Sequence, residues 1–562
     1  MTAERERMGS VVGGSLTKSI EVRLEPGKSA GLGEYLVSPL PEGGDLLGMV
    51  TDVLLKSAEA GATSWPPGAD DGPLAALLRE VLLDTGVYTA VEVNPYLEVE
   101  ADGATARARR LPRHFARVTR ADQEILNRAF AVDEERGAVR VGTPLGMDDV
   151  TVFVDIEKLF ERSAGVFGKS GTGKSVATMQ ILDAMVANSR AARVNGERTV
   201  ALIFDMHNDY GWDMKFQGEG ARARKSLKQR HGSDVAVYSL DPDVLNTDAR
   251  LVVGTQDITP EDLDVLQSIG AFTGPAIEAA HECHSRFGRT WIDDISADDP
   301  SPAVIRKTFR EGDEPDDPNW TKVAQRLGFH SGSFENLRRG LRRFTRRGFV
   351  QSGTGQFSGA LNHIVQTLKG GKSVVVQFGK FGSDLTAYML VANMLSRRIW
   401  EQYSEAVEKA QGRAQDEPNR LVIVIEEAHK FIDRSMAGQS IFGQIARELR
   451  KYNVTLFVID QRPSQIDAEV LSQIGTKFCF QLDSEADIEA LVGGMQGRSG
   501  LRSVIASLES RQQALVFGHA LPMPVVVRPP DLTANFEAGA SLRDRLGAPP
   551  ANVAAKLKPI FG

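Results

Sequence analysis

The stretch Gly168-Lys-Ser-Gly-Thr-Gly-Lys-Ser175 decides the fold of this chain. It matches the pattern G-x-x-x-x-G-K-[ST] at every fixed position, it follows the apolar pair Val166–Phe167, and a segment of helical period begins directly after it. A glycine-rich loop in this position lets backbone N–H groups wrap phosphates at a helix N-terminus, where unpaired donors and the helix dipole favour anions. The stretch therefore predicts a strand–loop–helix unit that binds a nucleoside triphosphate.

Two side chains of this loop have separate predicted roles. Lys174 is expected to reach the β- and γ-phosphates of ATP, and Ser175 is expected to offer its hydroxyl to Mg²⁺. The alternative is a glycine-rich turn that binds nothing, and the strand before the loop and the helix after it argue against that. The full set of predicted nucleotide contacts is Gly168, Ser170, Gly171, Thr172, Gly173, Lys174, Ser175 and Val176.

The stretch Leu421-Val-Ile-Val-Ile-Glu-Glu-Ala-His429 is an apolar strand that ends in two carboxylates. Ligands of parallel α/β sheets bind at the carboxyl ends of strands, so these two acids are expected to face the phosphate loop. Glu426 is predicted to hold Mg²⁺, and Glu427 is predicted to orient and deprotonate the attacking water. The alternative is a solvated strand end followed by a helix whose first turn favours acidic residues.

Other strand and helix ends offer further candidates. Gln461 follows an apolar strand and is predicted to contact the γ-phosphate or the attacking water; it could instead be a polar loop residue. Asp205 and His207 end another strand and either position the attacking water or the neighbouring subunit, or form only a polar turn. Hydrolysis by a motor usually needs a cation from a neighbouring subunit. Arg450 is the first choice for that cation and Arg447 the second, unless both only complement a helix C-terminus.

Alternation of short β-branched runs with helical segments from about residue 160 predicts an α/β fold with a parallel sheet that is buried on both faces. Short strands broken by Gly and Pro before residue 150 predict a small β-barrel. The predicted organisation is an N-terminal β-barrel domain at 1–150 that is completed by about 510–530, a RecA-like ATPase core at 151–256 and 350–509, a helical insertion at 257–349, and a C-terminal tail at 531–562.

Composition limits the class of protein. The 562 residues are 42% hydrophobic and 25% charged, which is typical of a globular protein. No apolar run approaches the length of about 18–20 residues that spans a bilayer, and the N-terminus has no signal-peptide core, so a cytoplasmic protein without a membrane partner is expected. The two cysteines, Cys283 and Cys479, support neither a disulfide framework nor a zinc site. The net charge of −8 argues against an exterior that binds nucleic acid everywhere, but it leaves a local basic channel open.

One segment is unusually rich in arginine. Residues 333–347 place their arginines along two adjacent rows of a predicted helix, with an apolar stripe on another side. Such a cluster suits contacts with DNA phosphates that do not depend on sequence, although a solvated face or a partner-docking face is the alternative. The candidate DNA contacts are Arg338, Arg339, Arg342, Arg343, Arg346 and Arg347, with Lys380 in a second predicted loop.

Taken together, these motifs resemble the HerA/FtsK superfamily of P-loop ATPases, and most closely the HerA DNA translocases. The resemblance is carried by Gly168–Ser175, Asp205–Tyr210, the Glu-Glu-Ala-His at 426–429, Arg447–Tyr452 and the Gln-Arg-Pro-Ser at 461–464. The opening Val11-Val-Gly-Gly-Ser15 and the final Gln513–Arg528 segment are also similar to the family. Two positions depart from it: Glu426 stands where many relatives have Asp, and Asp209 stands where Glu is frequent.

The resemblance implies a homo-hexameric ring with ATP at the subunit interfaces and double-stranded DNA in the central channel. It also implies a barrel surface that docks a NurA-type nuclease, a role in the resection of broken DNA ends, and a nucleoid-associated location. By the same resemblance, Glu427 is the catalytic base, Gln461 the sensor and Arg450 the finger that acts on a neighbour.

Two other functions remain open at this point. One is an FtsK-like DNA pump, although such pumps are usually tethered to a membrane. The other is an ATP-gated ring scaffold that activates a partner nuclease, as in defence systems. Paired glutamates favour turnover over mere binding, yet they do not demonstrate movement.

Overall fold

The computed structural model describes residues 5–58, 86–100, 102–130, 137–147, 150–191, 198–211, 226–244, 246–267, 269–413, 417–433, 441–495, 497–509 and 513–530. The predicted C-terminal tail at 531–562 lies outside these ranges. The chain divides into two compact units. The first takes its residues from Met1–Thr178 and Val424–Pro530, and the second from Met179–Ile423.

The strands of the described chain are numbered in chain order. They are β1 (Arg7–Gly14), β2 (Ile20–Leu24), β3 (Tyr35–Pro39), β4 (Asp45–Ser57), β5 (Val87–Val99), β6 (Thr105–Arg107), β7 (Arg117–Arg120), β8 (Ala138–Pro144), β9 (Val152–Asp155), β10 (Ala164–Phe167), β11 (Thr199–Asp205), β12 (Val235–Ser239), β13 (Ala249–Arg250), β14 (Val253–Gly254), β15 (Val350–Gln351), β16 (Ser373–Gln377), β17 (Arg420–Glu426), β18 (Val454–Asp460), β19 (Thr476–Cys479), β20 (Ala514–Gly518) and β21 (Val525–Arg528).

The α-helices are numbered in the same way. They are α1 (Gln123–Ala129), α2 (Ile156–Phe160), α3 (Lys174–Ala191), α4 (Leu227–His231), α5 (Pro260–Asp264), α6 (Gly274–Phe287), α7 (Trp291–Ser296), α8 (Pro302–Thr308), α9 (Trp320–Arg326), α10 (Ser331–Thr345), α11 (Phe357–Lys369), α12 (Leu385–Ala410), α13 (Ile441–Glu448), α14 (Ala468–Gln473), α15 (Glu485–Val492) and α16 (Arg498–Ser507).

The N-terminal part of the first unit is a closed barrel. Its strands pair in the order β2-β1-β7-β3-β4-β5-β6, and an additional pairing of β2 with β5 closes the sheet. Closure covers the edges of β2 and β5, which would otherwise invite pairing with another chain, and leaves the short β6 at the outside. Inward-facing apolar side chains such as Met8, Val22 and Val50 fill the interior and are almost fully buried. The predicted N-terminal β-barrel is therefore confirmed.

The same unit contains a mixed sheet that carries the glycine-rich loop. From one side its strands run in the order β17-β18-β10-β19-β20-β21-β8-β9. β10 is parallel to both β18 and β19, whereas the pairs from β19 to β9 are antiparallel. Every residue of β18 is buried, as expected of a parallel strand that is covered on both faces. The α/β P-loop fold is confirmed, although its sheet is mixed rather than wholly parallel.

The C-terminal hairpin of the first unit differs from the prediction. β20 and β21 do not join the barrel sheet; they pair with β19 and β8 and so extend the mixed sheet. The hairpin does contact the barrel through side chains, because Tyr35 Oη donates a hydrogen bond to the Pro524 carbonyl at 3.0 Å. A Cβ at Gly33, where φ is +84°, would approach Val526 Cγ2 to 2.8 Å. The segment therefore packs on the barrel without becoming one of its strands.

The second unit is built on a parallel sheet and a helical segment. The sheet strands run in the order β13-β12-β16-β11, and all three pairs are parallel. Helices α5 to α10 occupy the region between 257 and 349, where the sequence predicts a helical insertion. Its core is apolar, with Trp291 and Leu337 fully buried. The short strands β14 and β15 pair with each other and join the two ends of this region.

Candidate nucleotide-binding site

The glycine-rich loop leaves the C-terminal end of β10, between β18 and β19. Its first residue, Gly168, has φ +154° and donates its N–H to the Asp460 carbonyl at 3.2 Å. A Cβ at Gly168 would come within 2.6 Å of Phe480 Cβ, so any larger residue would displace the loop. The N–H of Lys169 donates to the Gln481 carbonyl at 3.0 Å. The loop is thus anchored to the two neighbouring strand ends before α3 begins.

Lys174 is the first residue of α3 and folds back over the loop. Its Nζ donates hydrogen bonds to the carbonyls of Gly168 at 2.6 Å and Lys169 at 2.9 Å. Burial lowers the pKa of Lys174, and the nearby carboxylates of Glu427, Asp460 and Glu426 oppose that shift. Lys174 thus lies between the backbone of the loop and the acidic ends of β17 and β18.

The two predicted acids stand together at the C-terminal end of β17. Glu426 is 5% exposed, and Glu427 takes a left-handed conformation with φ +50°. That conformation is uncommon for residues other than glycine and turns the chain sharply out of the strand. Gln461 Nε2, at the end of the adjacent β18, donates to Glu427 Oε1 at 2.6 Å. The structure therefore brings Lys174, both glutamates and Gln461 to one edge of the sheet.

The sequence reasoning did not single out the pair formed by Asp460 and His429. Asp460 is buried at the end of β18 and accepts the backbone N–H of His429 at 2.7 Å and of Arg462 at 2.6 Å. His429 Nδ1 lies 3.0 Å from Asp460 Oδ2 and 3.6 Å from Glu427 Oε2. The sequence feature that could have identified Asp460 is its position as a carboxylate directly before Gln461 at the end of an apolar strand. This pair clamps the turn that carries Glu427.

The arginines proposed to act on a neighbouring subunit lie at the end of α13. Arg447 pairs with Glu469 of α14 at 3.3 Å and is one-third exposed. Arg450 falls in the short 3₁₀ turn Leu449–Tyr452, and its side chain lies outside the part that the structure describes. Their predicted roles remain predictions.

Asp205 and its neighbours belong to the second unit. The Asp205 carboxylate accepts the N–H groups of Asp209 at 2.6 Å, Tyr210 at 3.0 Å and Gly211 at 2.9 Å. Burial raises the pKa of Asp205 to about 6, although these three hydrogen bonds lower it. His207 is exposed. This hydrogen-bonding pattern is that of a polar turn, which was one of the two interpretations of the stretch.

Oxygen ligands suitable for Mg²⁺ are present at the site. Mg²⁺ prefers carboxylate and hydroxyl oxygens and keeps several waters, so one carboxylate and one hydroxyl are enough when phosphates complete the shell. Glu426 at the end of β17 and Ser175 in the first turn of α3 provide these groups. Among the described residues no cluster of three or more His, Cys, Asp or Glu side chains could hold a metal without a substrate. The residues fit a metal that arrives with ATP.

Three of the six arginines of the cluster at 338–347 make contacts within the protein, and two of these three hold the helical segment. Arg338 is 5% exposed, donates to the carbonyls of Ile295 and Ala297, and lies 4.5 Å over the Trp320 ring. Arg342 donates to the carbonyls of Ser296 and Ala297. The prediction that both contact DNA is corrected, because these guanidiniums hold the helical segment together.

Two further predicted DNA contacts are also engaged. Arg347 pairs with Asp384, and Lys380 pairs with Asp241 at 3.4 Å and with Asp243. The side chains of three arginines of the cluster are exposed and make no hydrogen bond or ion pair with another described residue: Arg339, Arg343 and Arg346. The predicted DNA contact of this cluster therefore narrows to these three, which we call the outer arginines.

Within the described part of the chain, no helix has both the length and the apolar character needed to cross a bilayer.

Two family models match the sequence. Residues 139–399 match the model described as helicase HerA, central domain, and residues 8–82 match the HAS barrel domain. The central-domain match runs through the helical segment at 257–349, and the paired glutamates lie beyond its end. The barrel match covers the first four strands of the closed barrel.

Curated relatives and solved structures are similar along most of the chain. The DNA double-strand break repair helicase HerA of Pyrococcus furiosus is 23% identical over 551 residues, which cover 93% of this chain and 92% of the relative. The protein of the same name from Sulfurisphaera tokodaii is 21% identical over 529 residues, again with 93% and 92% coverage. Among solved structures, VirB4 of Thermoanaerobacter pseudethanolicus has a TM-score of 0.39 at 13% identity and covers 70% of this chain and 97% of that one. The plasmid coupling protein TrwB, in complex with a non-hydrolysable ATP analogue, also has a TM-score of 0.39 at 13% identity, with 73% and 93% coverage.

The two models match in the order in which the barrel and the ATPase core occur, and HerA relatives align along more than nine-tenths of both chains. This chain therefore carries a HAS barrel domain followed by a HerA central domain, and it is an ATP-hydrolysing P-loop enzyme.

Proposed function

We propose that this chain is an ATP-driven motor that moves along double-stranded DNA and acts with a partner nuclease in the processing of DNA ends. One observation carries the proposal: Lys174 of the glycine-rich loop lies among the carboxylates of Glu426, Glu427 and Asp460, and Gln461 is hydrogen-bonded to Glu427. A phosphate-binding lysine that shares a cleft with two strand-end acids is an arrangement for hydrolysis rather than for binding alone.

The proposed chemistry assigns one task to each of these residues. Lys174 exchanges the carbonyls of the loop for β- and γ-phosphate oxygens when ATP binds. Glu427 accepts the proton of the attacking water at a carboxylate oxygen, and Gln461 holds that carboxylate and senses the γ-phosphate. Ser175 and Glu426 hold Mg²⁺, which supplies charge neutralisation at the phosphates when it is bound.

Movement requires more than one subunit in this proposal. The chain assembles as a homo-hexamer, in which Arg450, with Arg447 as second choice, reaches the ATP of a neighbouring subunit. The outer arginines, Arg339, Arg343 and Arg346, contact DNA phosphates. The barrel docks a NurA-type nuclease, and the assembly works in the cytoplasm on nucleoid DNA.

The first test is ATP hydrolysis by the full chain with and without linear duplex DNA. We expect stimulation by duplex, and loss of at least about 100-fold in kcat for both Lys174→Ala and Glu427→Gln. Glu427→Gln should still bind ATP because it leaves the loop intact. Asp483→Asn, which removes an exposed carboxylate beside the loop, is the matched control and should retain activity. Hydrolysis at the wild-type rate by both site variants would contradict the assignment.

The second test separates a motor from an ATP-gated scaffold. A third DNA strand bound to the duplex should be displaced in the presence of ATP and should remain bound with Glu427→Gln. A protein that hydrolyses ATP yet never displaces the third strand would be a switch rather than a motor. Mass photometry with ATP and duplex should show six copies, and a persistent monomer would exclude the proposed role of Arg450.

A further inference from the structure

A second concentration of positive charge lies on the barrel. Residues 103–121 contain six arginines, one histidine and no acidic residue, in a chain with a net charge of −8. We call residues 107–117, which connect β6 to β7, the arginine loop. Arg107, Arg109 and Arg113 are exposed, and none of these side chains makes a hydrogen bond or ion pair with another described residue.

The base of the arginine loop is held in place. The buried carboxylate of Glu98 accepts the N–H of Arg109 at 2.5 Å, the N–H of Arg110 at 2.8 Å and Arg110 Nε at 2.7 Å. On the other side, the N–H of Phe115 donates to the Val11 carbonyl at 2.8 Å. A loop fixed at both ends presents its outward side chains with little further loss of conformational freedom when a ligand binds.

An aromatic ring is exposed near the C-terminal end of this loop. Phe115 is 79% exposed and has φ +62°, a left-handed conformation that residues other than glycine adopt rarely. The His114 ring lies 6.2 Å from it, and Leu111 is 39% exposed. An exposed aromatic residue held in an unfavourable backbone conformation indicates a binding role rather than a folding role.

We propose that the arginine loop is a second nucleic-acid contact, in which Arg107, Arg109 and Arg113 bind phosphates and Phe115 stacks on an unpaired base. The proposal rests on the proposed function in one respect, namely that DNA is the ligand of this protein. Guanidiniums without carboxylate partners, together with an exposed ring, suit single strands of any sequence, because every base has a π-face. Bases inside a duplex stack on one another, so the ring can reach only a DNA end or a single-stranded overhang.

The arginines are tested by the salt dependence of binding. Fluorescence anisotropy with the full chain, without nucleotide, would use a labelled duplex that carries a single-stranded overhang. The double variant Arg109→Ala/Arg113→Ala should reduce the slope of log affinity against log salt concentration by about 1.4, which corresponds to two lost phosphate contacts on single-stranded DNA. Arg7→Ala, on the same barrel and paired with Glu25, should leave the slope unchanged.

The ring is tested by comparison of two DNA probes. Phe115→Ala should weaken binding to the overhang probe about tenfold and leave binding to a blunt duplex within about twofold, whereas Phe115→Trp should restore the overhang affinity. Leu55→Ala, which removes an apolar side chain 91% exposed on the same barrel, should change neither.

Three outcomes would overturn the proposal. Unchanged slopes and affinities would show that the loop does not contact DNA. Loss of hexamers in mass photometry, with DNA affinity per assembled ring unchanged, would make the loop a contact between copies of this chain. Loss of nuclease co-purification alone would make it a protein-docking surface.

Failure of this proposal can be distinguished from failure of the proposed function. If the wild-type protein displaces a third strand but the loop variants bind DNA normally, only this proposal fails. If the wild type binds no DNA, the proposed function fails with it.

Discussion

Replacement of Asp460 by asparagine should separate catalysis from nucleotide binding. The two carboxylate oxygens accept different backbone N–H groups, Oδ1 from Arg462 and Oδ2 from His429. Asparagine has one acceptor oxygen, so its NH₂ must face one of these buried donors. A buried donor left without an acceptor costs about 1–3 kcal/mol, and we expect Asp460→Asn to lower the melting temperature by about 2–5 °C.

The larger effect of this substitution is expected on turnover. The turn that carries Glu427 is held by the bonds from His429 to Asp460, and a displacement of about 1 Å at a reacting group can reduce a rate about 100-fold. The main-chain bond from Gly168 N–H to the Asp460 carbonyl does not depend on the side chain. We therefore expect kcat to fall about 100-fold while the Kd for ATP changes by less than about threefold.

Steady-state ATPase assays and binding of a fluorescent ATP analogue measure the two quantities. Asp483→Asn is again the control, because its carboxylate is exposed and its pair with Lys169 is a surface ion pair that contributes about 0–1 kcal/mol. If Asp460→Asn retains wild-type kcat, the clamp has no part in placing Glu427. If ATP binding falls as far as kcat, the clamp supports the loop rather than the acid.

Three further predictions concern stability and are read from urea or thermal unfolding. Arg338→Ala should lower the free energy of unfolding by about 1–3 kcal/mol because it leaves the Ile295 and Ala297 carbonyls without their donor, whereas Arg343→Ala, at one of the outer arginines, should change it by less than about 0.5 kcal/mol; equal effects would contradict the division of the cluster. The pKa of Asp205 is raised from its ordinary 3.8 to about 6. Between these two pH values the folded state therefore keeps a proton on Asp205 that the unfolded state has released. The free energy of unfolding should therefore fall by about 1.4 kcal/mol per unit as the pH rises from 4 to 6, and Asp205→Asn should remove this pH dependence. Tyr35→Phe leaves the Pro524 carbonyl without its buried donor and should cost about 1–2 kcal/mol; no change in melting temperature would show that the contact adds nothing.

Features that depend on short stretches of sequence were predictable. The glycine-rich loop, the apolar strand before Glu426 and the helix after Lys174 each follow from local pattern, and the structure has them at nearly the expected bounds. Helical periodicity also predicted α10 together with its apolar side, which buries Leu337 and Leu341. In each case the element is determined by residues that lie within it or directly beside it in the sequence.

Features that depend on distant contacts were not predictable. The spacing of the arginines in α10 gives two rows, but which guanidiniums are engaged depends on distant groups such as the Ile295 and Ala297 carbonyls that accept from Arg338. The pairing of Asp460 with His429 joins residues 31 positions apart. The strands of the C-terminal hairpin have the same apolar character whether they join a barrel or extend a sheet, so their place depends on which edge is available.

That hairpin has a consequence for the synthesis of the protein. Val527 of β21 pairs with Pro144 of β8, so 383 residues (527 − 144) must be translated before this pair can form. At about 5–20 residues per second, β8 waits roughly 20 to 80 seconds on the ribosome for its neighbour. The barrel can close during that time because its strands all precede residue 121, but the mixed sheet keeps open edges at β8 and β19. A nascent chain that stalls before residue 514 would therefore expose two strand edges and should be a substrate for chaperones rather than a partly active enzyme.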